Sequence, residues 1–142
     1  MKHTFKKEER LSSQKIIGEL FDGGSSFSLY PFRLVWKQTP LPTTQFPVQV
    51  VVSVSKKRFK HAVDRNRVKR LVREAYRKQK NDTLYAPISA LGISLAIMII
   101  YTGNTIFTAQ EIEIKLSNAL LRLVDKYEQS DSGSIAAPDK NI

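Results

Sequence analysis

The sequence predicts an α+β domain, a small α/β sandwich in which three helices pack on a mainly antiparallel sheet of about four strands, in the chain order αβββαβα. Three patterns carry that prediction. Val68, Leu71, Val72, Ala75 and Tyr76 recur at the spacing of an amphipathic helix. Phe32 to Lys37 alternates and Val48 to Val54 is a β-branched run, both signs of strands. Ser94 to Tyr101 is an unbroken apolar run bounded by Gly92 and Gly103, which reads as a buried central strand.

The other elements follow in order. Ser12 and Ser13 precede Ile16, Ile17, Leu20 and Phe21, so a serine cap with Leu11 stapled to Ile16 opens a short helix that Asp22-Gly23-Gly24 stops. A short strand is expected around Phe27 to Tyr30. The next strand sends Phe32, Leu34 and Trp36 to one face. A turn-rich connection at 39–44 joins it to Val48–Val54, and the two strands are expected to pair as an antiparallel hairpin. After the amphipathic helix, Lys80 to Gly92 reads as a loop. Thr108-Ala109-Gln110-Glu111 is a capping box for a last helix running to about Tyr127. Residues 1–128 form a single domain, and 129–142, rich in Ser, Gly, Asp, Ala and Pro, are expected to be a disordered tail.

Composition narrows the function classes. With 142 residues, 42% hydrophobic and 25% charged, one soluble domain is expected. The absence of cysteine removes disulfide and thiolate chemistry and fits a cytoplasmic protein. The N-terminus leads into no apolar core of signal-peptide type, and the longest apolar run falls far below the ~20 residues of a membrane span. The charge is concentrated: from Lys56 to Lys80 there are twelve Lys or Arg against Asp64 and Glu74, so this segment's +10 equals that of the whole chain. A fixed cationic patch on an otherwise balanced protein is the footprint of a polyanion, with nucleic acid first among candidates.

Stepping ~100° per residue around the amphipathic helix places Lys69, Arg73, Asn66, Arg77 and Arg70 on one continuous face opposite the apolar stripe. Arg65 projects over one rim of that stripe and Arg67 over the other. Arginine suits phosphate because its planar fork makes bidentate contacts. Glu74 alone offers an acidic neighbour at i, i+4, to Arg70 and Lys78.

Val54-Ser55-Lys56-Lys57 followed by Ala62-Val63-Asp64-Arg65-Asn66-Arg67-Val68-Lys69-Arg70-Leu71-Val72-Arg73-Glu74 resembles the signature of the protein subunit of bacterial ribonuclease P. The resemblance extends more weakly from about Phe5 to Tyr127. It implies a left-handed βαβ crossover through the basic helix, where general rules favour the right hand. It implies that an RNA subunit holds the catalytic Mg²⁺ and removes the 5′ leader of precursor tRNA, while the protein binds the leader and raises substrate and metal affinity. On this resemblance Asn66, Arg67, Arg70, Arg73 and Arg77 are expected to bind the RNA subunit, and Lys57, Arg65, Lys69, Phe21 and Trp36 to line a leader cleft. Ile17 matches a wall position of that cleft. Ile17 and Val35 stand where similar proteins commonly carry aromatics, and Val51 where a small residue is usual.

The residues alone leave Trp36 open between core packing and base stacking. They favour core for Phe32. No nucleophile-elbow serine or metal-ligand spacing is present, and His3 and His61 read as surface residues, so no catalytic or metal site, and no small-molecule substrate, is expected within the chain. A nucleic-acid module outside ribonuclease P and a membrane-surface helix are the competing classes. The composite signature argues against the first. The need of the apolar stripe to cover the sheet argues against the second.

Overall fold

Ser13 opens the first helix, α1 (Gln14–Gly23), its hydroxyl accepting from the Ile16 amide at 3.2 Å. The computed structural model describes residues 5–42 and 45–132, with only the backbone described for 130–132. Gly24 ends α1 where a Cβ would lie 2.7 Å from the Leu20 carbonyl and 3.2 Å from that of Trp36, so glycine lets the helix turn straight into the sheet.

Strands β1 (Ser25–Leu29) and β2 (Phe32–Gln38) form an antiparallel hairpin through a cis Tyr30-Pro31 bond. β3 (Val48–Val54) and β4 (Leu95–Tyr101) complete a sheet of order β1-β2-β4-β3, with β4 antiparallel to β2 and parallel to β3. This corrects the expected pairing of β2 with β3. β4, buried almost throughout, takes the central place between them, and β3 reaches it through a helical crossover. The remaining edge of β3 is partly covered by the chain's own start: the Leu11 amide donates to the Val50 carbonyl at 2.9 Å, and Gln49 Nε2 to the Glu8 carbonyl at 2.9 Å.

Two cores lie on the two faces. Phe32, Leu34, Trp36, Val50, Val52, Ile97 and Ile99 pack under the helices that follow β3, whereas Val35, Ala96 and Met98 pack under Leu11, Ile16 and Leu20 at α1. The crossover helix α2 (Ala62–Lys80) buries Val68, Val72, Ala75 and Tyr76, the expected stripe, with Leu71 partly buried. Helical structure then continues where a loop was expected. A π turn at Asn81–Tyr85 buries Leu84 and Tyr85, and α3 (Ala86–Leu91) ends at Gly92, whose φ of 72° is left-handed. The proline that suggested a break, Pro87, lies just after the π turn within this continuous helical stretch.

α4 (Ala109–Ser132) begins with the expected reciprocal box: the Glu111 amide donates to Thr108 Oγ1 at 3.1 Å and the Thr108 amide to Glu111 Oε1 at 2.9 Å. It runs past Tyr127 into the segment expected to be disordered, and 133–142 lie outside the described residues, as does His3. Among the described residues no helix is long and apolar enough to cross a membrane.

Candidate nucleic-acid interface

The approach to α2 is built as carefully as the helix. Ser55 Oγ accepts from the Lys57 amide at 3.0 Å, turning the chain out of β3, and Phe59 is buried as an anchor. Arg65 Nη1 donates to the carbonyls of Phe59 and Lys60, both at 2.9 Å, so one guanidinium braces the loop against the first turn of the helix. Arg58 Nη1 donates to Asn104 Oδ1 at 2.8 Å, tying the loop to the end of β4. Lys56, Lys57, Arg58, Lys60 and His61 are left exposed along it.

On α2 itself Asn66, Arg67, Arg70 and Arg73 are exposed, while Arg65 and Lys69 are half-buried at the rim of the packed face. The division differs from the one expected: Arg67, expected over a rim, is exposed, whereas Lys69 and Arg77, expected on the outward face, are half-buried. Two cations are occupied internally. Arg77, half-buried, is ion-paired with Glu74, the acid expected beside Arg70 and Lys78; its hydrogen bond holds the Glu74 carboxyl below the usual range, and Glu74 in turn pushes the guanidinium up. Lys80 is buried and ion-paired with Glu9. The outward charge of the helix is thus smaller than the sequence count.

A second surface lies on the α1 side of the sheet. Glu19 meets Lys37 at 3.6 Å on one flank of α1. Ile17 and Phe21 project from the other flank, where Phe21 is 71% exposed. Val51, Ser53 and Ile100, all partly exposed, floor the open part of this face. The two surfaces meet at the edge of β3, where Arg73 and Arg10 line one small cavity with Leu11, Ser12 and Val51.

Trp36 does not share that face. Successive strand residues point to opposite sides, and Val35 is the one buried under α1. Trp36 is 5% exposed in the other core, its Nε1 donating to Tyr127 Oη at 3.1 Å and its ring edge-on to Phe27. No ring face is open to a base, so Trp36 leaves the set of cleft residues. Val35 is likewise buried. Among the described residues no group of three or more His, Asp or Glu is placed to hold a metal ion.

Residues 5–124 match the profile of the family described as Ribonuclease P. The chain belongs to the ribonuclease P protein family. It is 44% identical over 96 residues to a ribonuclease P protein component of Porphyromonas gingivalis, covering 62% of this chain and 69% of that one. It is 36% identical over 108 residues to that of Chlorobium phaeobacteroides, covering 72% and 74%. Among solved structures, the ribonuclease P proteins of Staphylococcus aureus and Thermotoga maritima share the fold, with TM-scores of 0.62 and 0.63 at 21% and 22% identity; the matches cover 82% and 80% of this chain and 95% and 96% of those chains. Two cations that the ribonuclease P signature does not contain, Arg10 and Arg33, also face these surfaces. Both lie outside the basic run at 56–80, and the β3 edge bridge and the β2–β4 register bring them there.

Proposed function

We propose that this chain serves as the RNA-binding protein subunit of a ribonuclease P holoenzyme, assisting a catalytic RNA in removing the 5′ leader of precursor tRNA. The observation that carries the reading is the division of α2 into an outward face of Asn66, Arg67, Arg70 and Arg73 and a half-buried rim of Arg65 and Lys69. The outward face, with Arg77 beside it, binds the RNA subunit. The rim, with Lys57 and the exposed Phe21, binds the single-stranded leader. Backbone phosphates are held by the cations, and a base stacks on Phe21 in a sequence-tolerant way. The catalytic groups and the Mg²⁺ belong to the RNA; the protein raises their effectiveness by adding substrate contacts. A cytoplasmic location is part of the same reading.

The test is cleavage of 5′-labelled precursor tRNA at low Mg²⁺ by a matched bacterial ribonuclease P RNA, with and without this protein. Cleavage requiring both, with the protein alone inert, supports the reading. RNA binding without rescue of cleavage would leave a general RNA-binding module.

A further inference from the structure

The β register brings Ser28, Arg33, Ile100 and Ser53 into one row across all four strands. By strand alternation this row shares the face of Val35 and Met98, which α1 covers, and lies two residues further along, beyond that cover. Arg33 is exposed there, and Ile100 and Ser53 are partly exposed. With β4 intervening, Arg33 stands roughly 10 Å across the sheet from Ser53 on the strand next to α2.

β2 places two cations on this face, and their situations differ. Lys37 is paired with Glu19. Arg33 Nη2 donates to the neutral hydroxyl of Ser26 at 3.3 Å, which uses one of its five N–H groups, and among the described residues no carboxylate stands within ion-pair distance of it. The Glu19–Lys37 pair also orients α1. Two residues along a helix are ~200° apart, so Ile17 and Phe21 overhang the opposite flank, the one toward the Arg33 row. An aromatic wall, a floor without acids and an uncompensated guanidinium suit a phosphodiester with an unpaired base beside it.

We propose that Arg33 binds a phosphate of the single-stranded leader at the β1 side of the cleft floor, so that the strand crosses the sheet from the Lys69 rim of α2 and passes beneath Phe21. This rests on the leader reading above and adds to it a direction and a far-side contact. A leader too short to cross the sheet would not reach Arg33.

The experiment uses the holoenzyme assembled with wild-type protein, Arg33→Met, Arg33→Lys or Lys69→Ala, measuring affinity for mature tRNA and for precursor tRNAs of increasing leader length at several salt concentrations. Arg33→Met is expected to weaken binding of long-leader precursors roughly fivefold to tenfold, and to flatten the salt slope by about 0.7. It should spare mature tRNA and the shortest leaders, and Arg33→Lys should recover part of the loss. Leader-dependent loss in Lys69→Ala but none in Arg33→Met overturns the role of Arg33 and leaves the leader cleft standing. No leader-dependent loss in any variant removes the cleft itself, and Arg33 with it. Equal loss for mature and precursor tRNA in Arg33→Met also overturns the proposal, because the contact would then lie outside the leader.

Discussion

Lys80 and Glu9, 71 positions apart in the chain, form an ion pair closed off from water, at 2% and 0% exposure. The Glu9 carboxylate also accepts from Tyr85 Oη at 2.7 Å and from the Lys6 amide at 2.8 Å, and Tyr76 Oη donates to Tyr85 Oη at 3.2 Å. The rings of Phe5, Phe46 and Tyr85 surround the ammonium, with centroids 5.9, 5.8 and 5.2 Å from Nζ. Each polar side chain of the cluster has a hydrogen-bond partner and the ammonium is also flanked by aromatic rings, which helps a buried pair to be tolerated. It fastens the N-terminal turn to the end of α2 and so keeps Arg10 beside Arg73.

Breaking this pair by one partner is expected to cost about 3–5 kcal/mol, because the other charge is left buried alone. Lys80→Met and Glu9→Gln should each lower the denaturant midpoint strongly, and the double substitution should cost less than the two single losses added together. Strict additivity in that cycle would mean the two groups do not interact.

The tyrosines of the same cluster predict a pH effect. Burial pushes the hydroxyls of Tyr76 and Tyr85 well above the usual tyrosine range. A group whose folded pKa is raised contributes stability that is complete below its unfolded value, about 10, and is lost as pH rises beyond it. Stability should therefore fall above about pH 10, and these two tyrosines should titrate only as the protein unfolds. Ultraviolet titration of tyrosinate alongside circular dichroism checks this; ionisation of all the tyrosines in the intact fold would contradict it.

Reversing Arg70 and Arg73 to Glu should weaken assembly with the RNA subunit by more than tenfold at moderate salt, with little change in stability because both side chains are exposed. Filter binding at several salt concentrations measures it. Undiminished binding would remove the outward face from that role.

Phe21 and Trp36 should separate in the opposite sense. Phe21→Ala removes an exposed ring and should leave stability within about 0.5 kcal/mol, while weakening precursor tRNA binding by about 1–3 kcal/mol if a base stacks there. Trp36→Ala should cost about 3–5 kcal/mol of stability. In the folded fraction it should leave leader affinity unchanged. Equal behaviour of the two variants would undo the distinction between the faces.

The basic helix, its stripe, the capping box at Thr108 and the strands themselves were legible in the sequence because each rests on local spacing. What was not legible depends on distance. Nothing near β2 or β3 states that a strand some forty residues later will come between them. Trp36 has the same local pattern whether its face meets α4 or RNA, and only the positions of Tyr127 and α1 decide it. Lys80 counted toward the charge of the basic segment, and only the fold shows that Glu9, 71 positions away, takes that charge. Pro87 misled because helical structure with a π turn just ahead of the proline carries the chain through it.

The central position of β4 sets the order of events at the ribosome. β1, β2 and β3 leave the exit tunnel first, yet β3 pairs with none of them, and Leu95–Tyr101 emerges only after the entire basic helix. Until then β3 has no strand to join and α2 no finished sheet to cover, so the nascent chain presents its cations on an unanchored segment. Pairing between β3 and β4 closes a large loop, which slows folding relative to local hairpins. A polyanion within reach at that moment would offset the self-repulsion of the segment.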